Sequence, residues 1–208
     1  MTIKYFGIKN KTNSTIFFEV NIMQIFFITG ASGVGKTTLI ELVKEKYDRN
    51  NCVFLHFDSI GIPSVEKMIE QYGSPSAFQQ EMTNQWIDKL INDYKNMDLI
   101  FFEGQVNLQF IKDGFEKHHF TNFTILLIDC SNEAMNYRLT KKRLQPELLT
   151  PEMANWLAFL RKQASDMGIR SIDTSLLTKE QMLQQFEEVG ELHCYFSKNK
   201  NSNPDVCA

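Results

Sequence analysis

The stretch Gln24-Ile25-Phe26-Phe27-Ile28-Thr29-Gly30-Ala31-Ser32-Gly33-Val34-Gly35-Lys36-Thr37-Thr38 decides the fold. Gln24–Thr29 is a continuous apolar run rich in β-branched and aromatic residues. That is how a parallel strand covered on both faces reads. Gly30–Thr37 comes next as Gly-x-x-x-x-Gly-Lys-Thr. The glycines let backbone N–H groups approach phosphate oxygens closely. From Thr37 to Tyr47 the apolar residues Leu39, Leu42, Val43 and Tyr47 recur at helical spacing. The positive end of that helix faces the same anion. Strand, glycine loop and helix in this order make a phosphate-binding loop, or P-loop. Gly30, Ala31, Ser32, Gly33, Val34 and Gly35 supply the cradle. Lys36 reaches the β- and γ-phosphates, Thr37 offers a hydroxyl to Mg²⁺, and Thr38 is a neighbouring hydroxyl. The expected ligands are ATP, or GTP, with Mg²⁺.

Outward from this loop, strands and helices alternate. Cys52–Phe57 reads as a second buried strand ending at Asp58, and Ser76–Asn96 as a long helix. Leu99–Phe102 is a third strand running into Glu103-Gly104, and Phe123–Ile128 a fourth ending at Asp129. Asn132–Arg143 and Pro151–Met167 read as helices, Ser171–Thr174 as a short fifth strand, and Thr178–Val189 as a closing helix. Thr178 is its N-cap, with Gln181 placed for a capping box. The expected fold class is α/β: a three-layer α/β/α domain with a mostly parallel five-stranded sheet and a short lid. In such a sheet ligands collect at the carboxyl ends of the strands. Gly30–Thr37, Asp58, Glu103 and Asp129 stand there.

Residues 23–192 form the expected domain. Residues 1–22 are an N-terminal extension, read either as a poorly ordered leader before Met23 or as an extra edge strand at Thr15–Val20. Residues 193–208, rich in Asn, Ser and Lys, read as a disordered tail. A chain of 208 residues can bury a core of its own. Its formal charge of −3 gives no basic field for nucleic acid or an anionic membrane surface. No apolar run is long enough to span a bilayer. Cys52, Cys130, Cys194 and Cys207 contain no C-x-x-C pair, so neither a zinc site nor a redox motif is suggested. The expectation is a cytoplasmic protein with reduced thiols.

With the P-loop, Asp58 closing the second strand, Glu103-Gly104-Gln105 closing the third, and Tyr137–Arg143 after the fourth, residues 23–190 resemble the nucleoside-monophosphate-kinase-like superfamily of small-molecule kinases. The resemblance implies that Asp58 binds the acceptor hydroxyl and acts as general base. It implies that Glu103 organises Mg²⁺ or holds substrate, with Gln105 as a hydrogen-bond partner of the acceptor. It makes Arg138 a residue that packs on the base or holds phosphate. Arg143, or Lys142 in its place, neutralises charge on the transferring group. Leu144–Thr150 becomes a short lid, and Arg161 a further arginine facing the phosphates.

One departure is informative. No arginine lies between Asp58 and Tyr137, where kinases of nucleoside monophosphates clamp the acceptor phosphate with guanidinium groups. The expected acceptor is a small molecule with a hydroxyl and no phosphate. The reading from a different class is a regulatory ATP- or GTP-binding switch with little or no turnover. His56, alternating with apolar residues, reads as a satisfied structural histidine, and Trp86 and Phe78 read as core.

Overall fold

The computed structural model describes residues 23–48 and 51–192, and the backbone of two further strands, β1 (Lys4–Lys9) and β2 (Thr15–Val20). These two pair antiparallel with each other in a sheet of their own. Thr15–Val20 is therefore a strand, but it does not join the main sheet as an edge. The tail expected after residue 192 lies outside the described residues, as do Arg49, Cys194 and Cys207.

The main sheet holds β3 (Gln24–Thr29), β4 (Cys52–His56), β5 (Leu99–Gly104), β6 (Phe123–Asp129) and β7 (Ser171–Asp173). All its pairings are parallel, in the order β4-β5-β3-β6-β7. The helices are α1 (Lys36–Tyr47), α2 (Val65–Tyr72), α3 (Pro75–Asp93), α4 (Leu108–Lys117), α5 (Asn132–Tyr137), α6 (Pro151–Met167) and α7 (Lys179–Val189). A short π-helical turn, Arg138–Lys142, continues α5. The chain order reverses direction across the sheet at β3, whose neighbours are β5 on one side and β6 on the other. That is the switch point at which α/β sheets open a crevice for ligand.

Two apolar layers form because successive side chains of a strand face opposite ways. Phe26 and Phe101 pair in register and stack at 5.2 Å. Phe101 also stacks on Phe54 at 5.0 Å. This layer packs under α1 and α7 with Leu39, Val43 and Phe186. One residue on, Phe27 and Phe102 face the other layer, against Phe57, Trp86 and Phe115. Phe78 and Trp86 are buried there as core.

Two helices not placed from sequence carry ordinary boundary signals. The Ser64 hydroxyl caps α2, which stops at Gly73 in the left-handed region, and the Asn107 side chain caps α4. Strand β4 ends at His56, one residue before the expected end, because Phe57–Ile60 forms a 3₁₀ turn. The Trp86 indole N–H holds that turn by donating to the Phe57 carbonyl at 3.1 Å. The capping box of α7 forms as expected between Thr178 and Gln181.

Phe101 is fully buried between two stacked rings. Phe101→Ala is expected to cost about 3–5 kcal/mol, read as a lower urea midpoint with an unchanged denaturant slope.

Candidate active site

The P-loop leaves β3 at Gly30, where a Cβ would lie 2.3 Å from the Ile128 carbonyl oxygen, so no side chain fits. Gly35 sits at φ 108° as the N-cap of α1. It provides no capping side chain, whereas α2 to α7 each receive a hydrogen bond from one. The first N–H groups of α1 are thus left for an incoming anion. Lys36 folds back and donates to the Ala31 carbonyl at 3.0 Å. Burial lowers its pKa from the usual lysine value, and the nearby Arg143 charge adds to this. The Glu103 and Asp58 carboxylates oppose it. Glu103, Asp58 and Arg143 each therefore lie within electrostatic reach of Lys36.

Thr37 donates to Glu103 Oε1 at 3.2 Å. His56 Nδ1 meets the same oxygen at 2.9 Å. Ser32 donates to the side-chain oxygen of Gln105 at 3.2 Å, so Gln105 braces the P-loop. Asp58 is exposed in the 3₁₀ turn after β4. Asp129 is engaged elsewhere. It accepts from the Cys130 N–H at 2.7 Å and from Arg161 Nε at 2.7 Å, which leaves Glu103 as the strand-end acid beside the P-loop. Thr37 and Glu103 set two hard oxygen donors side by side. That fits Mg²⁺, which takes one or two protein oxygens and completes its shell with phosphate and water.

A cavity of about 730 Å³ extends from the P-loop. Thr38, Tyr137, Arg138 and Arg143 line it, together with Ser175 and Leu177 of the loop after β7 and Lys179 at the start of α7. The stretch from Ser175 to Lys179 was not expected at the site, because it carries no sequence motif.

Three side chains have surroundings that the sequence did not reveal. Arg138 is bonded to the P-loop backbone and to Thr174. Its Nη1 donates to the carbonyls of Val34 (3.1 Å) and Gly33 (3.5 Å) and to Thr174 Oγ1 (2.8 Å). Its Nη2 donates to the Thr174 carbonyl at 2.6 Å. Both terminal nitrogens thus bond the protein, and the guanidinium also lines the cavity. Arg161 is engaged at the end of β6. It bridges the Asp129 carboxylate and the Cys130 carbonyl (2.6 Å), and the Asp129 hydrogen bond raises its pKa further. His56 is not enclosed, since its side chain is 45% exposed beside Glu103.

No protein-family model matches the chain, and no curated protein matches its sequence. Solved structures do. A tunicamycin resistance protein from Deinococcus radiodurans superposes with TM-score 0.57 at 18% identity, over 80% of this chain and 94% of that one. A gluconokinase from Sinorhizobium meliloti 1021 gives 0.57 at 11% identity, over 86% and 99%. Shikimate kinase from Acinetobacter baumannii, solved with shikimate, gives 0.53 at 14%, over 86% and 95%. The chain has the fold of the P-loop small-molecule kinases. In this P-loop kinase fold the loop, Glu103 and Asp58 share one end of the sheet. Among the described residues no helix is long and apolar enough to cross a membrane.

Buried Thr174 bonds Arg138, the Val34 carbonyl (2.7 Å) and the Asp129 carbonyl (3.0 Å). Thr174→Val strands several buried polar groups. The expected loss is about 1–3 kcal/mol, seen as a lower melting temperature together with weaker binding of a fluorescent ATP analogue.

Proposed function

We propose that this protein is an ATP-dependent phosphotransferase that moves the γ-phosphate to a hydroxyl of a small molecule carrying no phosphate. The observation that carries the reading is the convergence of Lys36, the Thr37–Glu103 pair and Asp58 at the carboxyl ends of β3, β5 and β4. Phosphoryl transfer depends on positioning and charge neutralisation more than on covalent participation by the protein.

The P-loop N–H groups and Lys36 hold the β- and γ-phosphates. Thr37 and Glu103 would hold Mg²⁺, which supplies further neutralisation of phosphate charge when bound. Asp58 takes the proton of the acceptor hydroxyl as its oxygen bonds to the γ-phosphorus and the bond from that phosphorus to the β-phosphate oxygen breaks. Arg143, exposed on the cavity wall, reaches over the transferring group. The Arg138 wall and the Ser175–Lys179 stretch leave space between them for the base. Arg161 acts on this site only by fixing the end of β6.

The residues after Asp58 define the acceptor side. Ile60, Ile62, Val65 and Ile69 are all about half exposed there, and no arginine lies between Asp58 and Arg138. An acceptor without a phosphate suits such a surface, and a monophosphate does not. Among the fold neighbours, gluconokinase and shikimate kinase are named for phosphate-free acceptors and thymidylate kinase for a nucleotide, so the acceptor reading rests on this surface and not on the neighbours.

The test is transfer from γ-labelled ATP with Mg²⁺ to pooled sugars, hydroxy acids, nucleosides, nucleotides and antibiotics. Lys36→Ala is expected to remove both nucleotide binding and transfer. Asp58→Asn is expected to lower transfer about 10²-fold or more while nucleotide affinity stays within a factor of two or so. Nucleoside monophosphates turned over as well as phosphate-free acceptors would overturn the acceptor reading. Tight ATP binding with no product from any pool, and a silent Asp58→Asn, would favour the regulatory switch.

A further inference from the structure

Strand β4 pairs with β5 so that His56 stands directly opposite Glu103. Register alone brings the two side chains to the same strand end, and the 3₁₀ turn that comes next is held by the Trp86 indole. Ser59 tightens that turn by donating to the His56 carbonyl at 2.7 Å. Glu103 Oε1 then has two neighbours: His56 Nδ1 at 2.9 Å and Thr37 Oγ1 at 3.2 Å. The Glu103 side chain is only 10% exposed, so little water competes for it.

Resting on the kinase reading above, the geometry points to His56 as a positioning residue that sets the orientation of the Glu103 carboxylate toward the Thr37 hydroxyl and Mg²⁺. The physics is that of an outer-shell partner. A carboxylate with free rotation about its last bond spends part of its time turned from the cation. An N–H donor fixed to the neighbouring strand holds one oxygen in place. With Nδ1–H donating to Oε1, Oε1 also receives the Thr37 proton. That leaves the Thr37 oxygen lone pairs and the second carboxylate oxygen to face the metal–phosphate side. Thr37 lies on α1, Glu103 on β5 and His56 on β4, so the hydrogen-bonded chain ties three elements together at the point where charge must be neutralised. His56 touches neither phosphate nor acceptor in this arrangement. It acts through Glu103.

A lone histidine in an apolar strand is more often a satisfied core residue. What separates His56 from that class is its place as the last strand residue, in register with the acid of the next strand.

The experiment is a Mg²⁺ titration of nucleotide binding, read by fluorescence of an ATP analogue on the full chain, beside affinity in EDTA. The variants are His56→Ala and His56→Asn, the latter placing an amide nitrogen close to where Nδ1 stands. His56→Ala is expected to raise the Mg²⁺ concentration at half-saturation about tenfold to a hundredfold, with affinity in EDTA unchanged. His56→Asn is expected to recover most of that loss. An unchanged Mg²⁺ midpoint in His56→Ala overturns the inference. So does an equal loss of affinity with and without Mg²⁺, or a failure of His56→Asn to recover any of it; these outcomes describe a residue that only supports the fold. A wild-type chain whose ATP binding ignores Mg²⁺ would instead overturn the P-loop reading on which this rests.

Discussion

A loop that offers its amide N–H groups to an anion must turn carbonyls back into the protein, and a buried carbonyl needs a donor. In this chain the donors come from far away in sequence as well as from the loop itself. Lys36 serves Ala31, Arg138 serves Gly33 and Val34, and Thr174 serves Val34 again. Much of the remaining architecture answers that requirement. Strand β7 is short, but it delivers Thr174. The turn after α5 winds as a π-helix and delivers Arg138. The Thr174 hydroxyl reaches the Asp129 carbonyl as well, so the ends of β6 and β7 and the P-loop are fastened as one piece. Preorganisation of the phosphate cradle therefore rests on side chains brought from outside the loop, Arg138 and Thr174, as well as on Lys36.

The other half of the site depends on strand register. Parallel pairing aligns Thr29 with Gly104 and His56 with Glu103. It thereby sets the P-loop, the strand-end acid and the histidine on one edge. Thr29 Oγ1 and Val106 exchange hydrogen bonds just beyond, at 2.7 and 3.0 Å, which fixes how the chain leaves β5. Gln79 of α3 donates to the Gln105 carbonyl and accepts from the Asn107 N–H, so α3 is tied to the same turn. Charge then accumulates on a rigid frame, which is what electrostatic stabilisation of a transferring phosphoryl group requires.

The fold is legible in the sequence because its signals are local. A doubly covered strand reads as an unbroken apolar run, as at Gln24–Thr29, and a capping box reads as Thr178 with Gln181. The P-loop is legible for the same reason: its glycines and Lys36 are contiguous. The arginines are not legible. Arg138, Arg143 and Arg161 look alike in sequence, each on a helix or at its end. Their partners, namely the Val34 and Cys130 carbonyls and the Asp129 carboxylate, are set by tertiary placement. For Arg138 the sequence points to the cavity but not to its bonds with Val34 and Thr174. For His56 it misleads, because alternation along a strand says nothing about which residue is last. The wall formed by Ser175, Leu177 and Lys179 offers no chemistry-bearing pattern to find.

Arg138 and Arg161 are both tied down, one to the P-loop and the other to the end of β6, and the Leu144–Thr150 segment runs between the elements that carry them. Leu144 starts it in the left-handed region at φ 54°, and Pro146–Leu148 already forms a 3₁₀ turn. Such a segment is a strap clamped at both ends. Fully extended, it would measure roughly 25 Å of chain, and the turn takes up part of that slack. Its travel is consequently short. On the kinase reading proposed above, a strap of that length would limit how deeply an acceptor enters rather than cover the whole molecule.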